Sequence, residues 1–172
     1  MQNFTFEIDN IKIPLRACLD FSQEYDHISA VTSTRTMNGS AIRQGTYTKL
    51  KTTLTGSGGA PVGLSRLNTF ISHTLKCSAP LAISSDTNVI ILPSERRTDP
   101  DYTPVGYAFI DGEAIKTTVI LDSGNTATLE IVEDADEYQV LYVPQLTVHI
   151  EPVKETTDRS GRKSWTINAE EV

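Results

Sequence analysis

Basic charge is what this sequence has too little of: 15 Lys and Arg stand against 22 Asp and Glu, a formal net charge of −7. A nucleic-acid binder needs a cationic footprint along its contact face, and this chain offers only short clusters. Arg96-Arg97 and Arg159/Arg162/Lys163 sit among Glu95, Asp99, Asp101 and Asp158 and read as solvated loop charges. An acidic surface still lets DNA pass, because repulsion prevents sticking. Cysteine is scarce too. Cys18 and Cys77 are too few and too far apart for a disulfide scaffold or a metal framework. Each lies in an apolar, strand-like context and reads as a small buried hydrophobe. Long apolar runs are missing: no stretch approaches the roughly 18 residues of a membrane span. Met1–Glu7 has no basic start before an apolar run, so no signal peptide is expected. Apolar residues make up only 38 % of the chain, a lean supply that suits a domain completing its burial against neighbours.

Threonine, by contrast, is abundant, with 22 among 172 residues. A β-branched polar side chain suits the half-exposed face of a strand and disfavours helix interiors, so the chain is expected to be mainly β. Phe4–Ile8 and Ile11–Ile13 alternate around Asp9-Asn10 and predict a hairpin, with Pro14 ending the second strand. Leu15–Phe21 and Ile28–Thr36 are further strand candidates, and Asn38-Gly39 a turn. Tyr47–Thr55 reads as a strand, and the following Gly56–Gly63 as a mobile loop whose deletion should leave the monomer folded but block assembly. Leu64–Ile71 is the one short helix expected. His73–Ala79 and Thr87–Leu92 are strands. Val105–Ile110, Glu113–Leu121, Thr126–Ile131 and Glu137–Val143, punctuated by Asp111-Gly112 and Asp122–Asn125, predict a β-meander or half-sandwich. Leu146–Ile150, a polar loop over Glu155–Lys163 and a strand from Ser164 close the chain. The expected architecture is a β-barrel or sandwich framework from both ends, residues 1–74 and 144–172, with a small β-sandwich-like domain inserted at 75–143.

No chemistry-bearing motif emerges. Gly56-Ser57-Gly58-Gly59 lacks the closing Lys-Ser/Thr of a phosphate-binding loop and the Gly-x-Gly-x-x-Gly spacing of a dinucleotide fold. His27, His73 and His149 show no paired-ligand spacing and no local nucleophile partner. The acidic run Glu130–Glu137 lacks the glycine and ladder spacing of a calcium loop. No catalytic, cofactor or metal residue is therefore expected, and the chain is read as a building block rather than an enzyme.

Five segments carry a resemblance: Met37-Asn38-Gly39-Ser40-Ala41-Ile42-Arg43-Gln44; Lys49–Thr55 with Gly56-Ser57-Gly58; Arg96-Arg97-Thr98-Asp99; Tyr138-Gln139-Val140-x-Tyr142-x-Pro144; and Ser164-Trp165-Thr166-Ile167-x-Ala169-Glu170-Glu171. Together they resemble tail-module structural proteins of long-tailed bacteriophages, most of all distal tail proteins of the tail tip and baseplate. The resemblance implies a virion protein made in the host cytoplasm, forming a closed, six-fold ring with itself. Its implied partners are the tail tube protein, the baseplate hub and other tail-tip proteins, with DNA passing unbound. Residues taken as subunit-contact candidates are Arg43, Gln44, Tyr47, Lys49, Lys51, Gly56, Gly58, Gly59 and Trp165, with Arg43–Gly63 as a reaching loop that orders on assembly. Alternatives that stay open are a host-glycan or receptor-binding β module and a tail tube or terminator subunit.

Overall fold

A computed structural model describes residues 6–172 of the chain. The protein is mainly β, and among the described residues the only helical segments are two 3-10 turns, Leu15–Ala17 and Pro100–Tyr102. The strands, in chain order, are β1 (Glu7–Ile8), β2 (Ile11–Lys12), β3 (Ser22–Arg35), β4 (Ala41–Gly58), β5 (His73–Lys76), β6 (Leu81–Ser85), β7 (Val89–Ile91) and β8 (Val105–Ile110). They continue with β9 (Glu113–Thr117), β10 (Val119–Leu121), β11 (Thr126–Leu129), β12 (Glu137–Tyr142), β13 (Gln145–Ile150), β14 (Lys154–Thr157) and β15 (Lys163–Glu171). The chain divides into two compact units, Met1–Glu7 with Leu75–Leu146, and Ile8–Thr74 with Thr147–Val172. The first is called the inserted unit below and the second the framework unit.

The inserted unit is a two-sheet sandwich. One sheet runs β6-β12-β8-β9 and the other β10-β11-β7. Alternate residues of both point into one core of Ile90, Leu92, Ala108, Ala127, Leu129, Tyr138, Val140 and Tyr142. Of the two expected forms, meander or half-sandwich, these strands take the sandwich one, shared between two sheets. The segment Glu113–Leu121 breaks at Thr118, pairing first with β8 and then, as β10, with β11. Asp111 and Gly112 both have positive φ, 50° and 83°, the geometry a tight primed hairpin turn requires.

In the framework unit, β13 and β14 flank one side of β15 while β4 pairs along the other, and β3 pairs with β4. The hairpin turn at Asp9-Asn10 forms as expected, with φ of 48° and 67°; the part of that expectation on residues 4–5 lies outside the described residues. Leu15–Phe21 is not a strand. Its first residues form the 3-10 turn that follows Pro14, and β3 starts earlier than expected, at Ser22. Leu64–Ile71 is not a helix: it forms separate turns at Ser65-Arg66, closed by Leu67 N–H to the Leu64 carbonyl, and at Thr69-Phe70. Asn68 spends its side chain on the Phe70 amide at 3.1 Å and its carbonyl on His73, a local competition that defeats helix propagation. The expected polar loop at Glu155–Lys163 is in part strand, because β14 folds back on β15 through the turn Asp158–Arg162.

The Gly-rich segment also departs from expectation. Gly56 and Gly58 are buried positions of β4, facing Trp165 and the Arg16–Ala17 backbone. They serve close approach rather than mobility. Past them, Val62 and Leu64 are buried, at 1 % and 3 % exposure, which anchors the stretch that had read as a reaching loop. The indole N–H of Trp165 donates to the Ala17 carbonyl at 2.7 Å, pinning the 3-10 turn to the sheet.

Candidate interaction surface

The feature of the framework unit that its own core does not explain is the outer half of the β3–β4 hairpin. Residues of β4 alternate buried and half-buried from Lys49 to Gly58, as a strand over a core must. Beyond that point the alternation stops. Every strand residue from Ser29 to Arg35 and from Ala41 to Thr48 is exposed, so this two-stranded arm has both faces open. The pairing continues to the tip, ending at Arg35↔Ala41, with one register shift between Ser29 and Val31. Seven residues of β3 and eight of β4 at about 3.4 Å each make an arm roughly 25 Å long. Its tip is closed by Thr36, which exchanges backbone bonds with Gly39 and Ser40, and by Arg35 Nη1 donating to the Gly39 carbonyl at 3.1 Å.

A two-stranded ribbon without a covering layer is marginal in water, yet this one carries apolar side chains. Val31, Ile42 and Tyr47 are 37 %, 45 % and 52 % exposed, and Met37 at the tip is fully so. Its charge is of one sign: between Ser29 and Thr48 there are Arg35 and Arg43 and no carboxylate. The outer rim of β3 is also an open edge, since β3 ends its sheet. Natural edges are usually blunted by lysine, proline or inward charges, and Ile28–Thr34 contains none of these.

The sequence-derived contact residues divide by place. Arg43, Gln44 and Tyr47 lie on the exposed arm. Lys49 and Lys51 lie at its root, half-buried; Lys49 donates to the Val172 carbonyl at 2.5 Å, and Lys51 stands between Asp26 and Glu170 across the strands. Gly56 and Gly58 are inside the framework, Gly59 is exposed just past the strand, and Trp165 is buried at 2 % exposure. The β3 half of the arm, Ser29–Thr34, was absent from those candidates. Its signal was present as a Thr/Ser-rich stretch leading into the Asn-Gly turn.

Of the three histidines, His73 has the most structured setting. It is 3 % exposed, with Nδ1 2.5 Å from Asp9 Oδ2 and Nε2 2.7 Å from the Asn68 carbonyl. Both ring nitrogens therefore face acceptors, an arrangement that favours the doubly protonated ring. Burial opposes the charge, but the Asp9 hydrogen bond, the Asn68 carbonyl and the Asp9 charge together raise the His73 pKa. The His73 hydrogen bond in turn lowers that of Asp9, against a smaller opposing effect of burial. The sign follows from linkage: the His73 contribution is whole below its ordinary 6.5 and is lost as pH rises through the higher folded value. The Asp9 contribution is whole above its ordinary 3.8 and is lost as pH falls through the lower folded value. Thermal unfolding followed from pH 5 to 9 should show stability declining on the alkaline side, and His73→Gln should flatten that decline. An unchanged slope in the variant would refute the assignment.

Among the described residues no group of three or more His, Cys, Asp or Glu is placed to hold a metal ion, and no helix is long and apolar enough to cross a membrane. Both cysteines are free; burial pushes the Cys18 thiol up to about 11. The sequence matches no protein-family model. It matches no curated protein either.

Proposed function

We propose that this protein is a structural, self-assembling subunit of a bacteriophage tail, a ring-forming distal tail or baseplate component joining the tail tube to the tail tip. The carrying observation is the arm, exposed on both faces from Ser29 to Thr48 with apolar and cationic side chains along it. A ribbon of that kind gains its stability from a partner, and the open β3 edge offers backbone pairing to the same partner. The sequence resemblance to tail-tip proteins supplies the setting, a virion in which such subunits close into rings. In this reading the protein catalyses nothing, holds no cofactor, and lets DNA pass without specific binding.

Replacing Ala30–Tyr47 by Asn-Gly joins the paired residues Ser29 and Thr48 through a two-residue turn. The shortened protein should remain folded by circular dichroism, with its melting temperature within a few degrees of wild type, and should run as a monomer in light scattering where wild type forms a ring. Immunogold labelling of purified virions should place the full-length protein at the tail tip. Assembly of the shortened protein at wild-type concentrations would sink the proposal.

A further inference from the structure

The formal charge is not shared evenly between the two units. The inserted unit holds 13 Asp and Glu against 4 Lys and Arg, a formal charge of −9, whereas the framework unit holds 9 against 11, a charge of +2. The acidity of the chain therefore belongs to the inserted unit.

That unit also bears an unpartnered apolar face. In the sheet β10-β11-β7, Ile120 lies across from Thr128 and Thr128 across from Val89, while Thr126 lies across from Ile91. Their chain neighbours Ile90, Ala127 and Leu129 belong to the sandwich core, with Val119 packed against it, so strand alternation sends Ile120, Thr128, Val89, Thr126 and Ile91 outward. Val89, Ile91 and Ile120 are 46 %, 74 % and 68 % exposed. Carboxylates stand at the ends of the same strands: Asp122 after β10, Glu130 after β11 and Asp86 ahead of β7, all exposed. Arg96 donates through Nη2 to the Asn125 side chain at 2.9 Å. An apolar centre with an acidic rim is the pattern of a docking face.

We infer that this face receives the arm of a second copy of the chain. The inference rests on the ring-subunit reading and names the contact by which copies join. The arm presents what the face lacks: Val31, Ile42 and Tyr47 for its apolar rows, and Arg35 and Arg43, with no carboxylate between Ser29 and Thr48, for its rim. Two inserted units repel one another, so charge disfavours a face-to-face pair and favours face against arm. A contact between two different surfaces of identical copies is heterologous, and such contacts generate rings when the rotation closes.

The test mixes two full-length variants. Arg35→Glu/Arg43→Glu spoils the arm and leaves the face; Ile91→Glu/Ile120→Glu spoils the face and leaves the arm. Each alone should be folded and monomeric in analytical ultracentrifugation. Mixed, they should form a one-to-one heterodimer and stop there, because only one good arm and one good face remain. The heterodimer should weaken at least tenfold when salt is raised from 50 to 500 mM. Should the Ile→Glu pair disturb folding, Ile91→Thr/Ile120→Thr keeps strand-forming residues and should still raise the dissociation constant at least tenfold. Wild-type rings with face variants that assemble equally well would overturn this contact and leave the ring reading standing. Wild type that stays monomeric at all concentrations, with no heterodimer on mixing, would overturn both.

Discussion

Gly58→Ala should destabilise the framework unit by about 4 kcal/mol or more. A Cβ at this position would overlap the Arg16 carbonyl oxygen, and would lie 2.7 Å from the Arg16 carbonyl carbon and 3.0 Å from Ala17 Cα. These are backbone atoms, which cannot rotate away as a side chain does. Relief requires the 3-10 turn to lift from the sheet. That movement breaks the Gly59 N–H bond to Arg16 at 3.0 Å and the Trp165 N–H bond to Ala17 at 2.7 Å. It also opens a gap beside Phe21, whose ring centroid lies 6.4 Å from that of Trp165. Overpacking alone costs about 1–3 kcal/mol, and each buried polar group left unpaired a further ~1–3 kcal/mol. The sum, roughly 4 kcal/mol or more, is a large share of the 5–15 kcal/mol that stabilises a typical domain. Urea titration by tryptophan fluorescence reads the effect directly, since Trp165 is the sole tryptophan. Gly56→Ala meets the Trp165 ring instead, overlapping Cζ2 and lying 2.7 Å from Cε2; a side chain gives way more readily than backbone, so it should also destabilise, by less. Gly59→Ala, with open space around it, should be within about 0.5 kcal/mol of wild type. If Gly58→Ala and Gly59→Ala unfold at the same urea concentration, the close-approach account is wrong.

The same three glycines show where sequence reasoning ran out. A run of glycines signals either a chain that must move or a backbone that must be approached closely, and only the facing element decides between them. Here the deciding element is the Arg16–Ala17 turn, some forty residues earlier in the chain. The elements that were legible carry their cause locally. Asp9-Asn10 and Asp111-Gly112 supply the positive φ of their turns, and β12 and β15 largely alternate apolar and polar along their own length. The arm was half legible. Asn38-Gly39 and the flanking threonines predict a hairpin, but whether its faces are covered depends on every other segment of the chain. The same holds for Arg97, which reads as one more solvated loop charge beside Arg96. Its partners come from three separate segments.

Arg97 carries the second large expected effect, in the inserted unit. Its side chain is 3 % exposed. Nε donates to Asp99 at 2.8 Å, Nη1 to the Cys77 carbonyl at 2.8 Å, and Nη2 lies 3.9 Å from Glu7. The guanidinium stacks 3.5 Å over the Tyr102 ring. Lys76 completes the cluster, 3.3 Å from both Glu7 and Asp99, so two cations balance two carboxylates. Arg97→Met keeps much of the volume but takes a donor from Asp99 and from the Cys77 carbonyl, and a cation from beside Glu7. Breaking a buried pair by removing one partner costs about 3–5 kcal/mol, and chemical denaturation at pH 7 should show a loss of that size. Arg97→Lys should recover little, because an ammonium reproduces neither the fork nor the stacking. Arg97→Met/Glu7→Gln should be less destabilised than Arg97→Met alone, since removing one carboxylate restores the balance of one cation, Lys76, against one carboxylate, Asp99. Acid should weaken the wild-type cluster too: the Arg97 hydrogen bond holds the Asp99 carboxyl below its ordinary 3.8, so its contribution is lost as pH falls through that lowered value. The control is an ion pair in the framework unit, Arg162 with Asp20, whose side chains are 58 % and 66 % exposed. Solvent screens such a pair, and Arg162→Ala should change stability by less than about 1 kcal/mol. A comparable loss at both sites would mean that burial is not what gives Arg97 its weight.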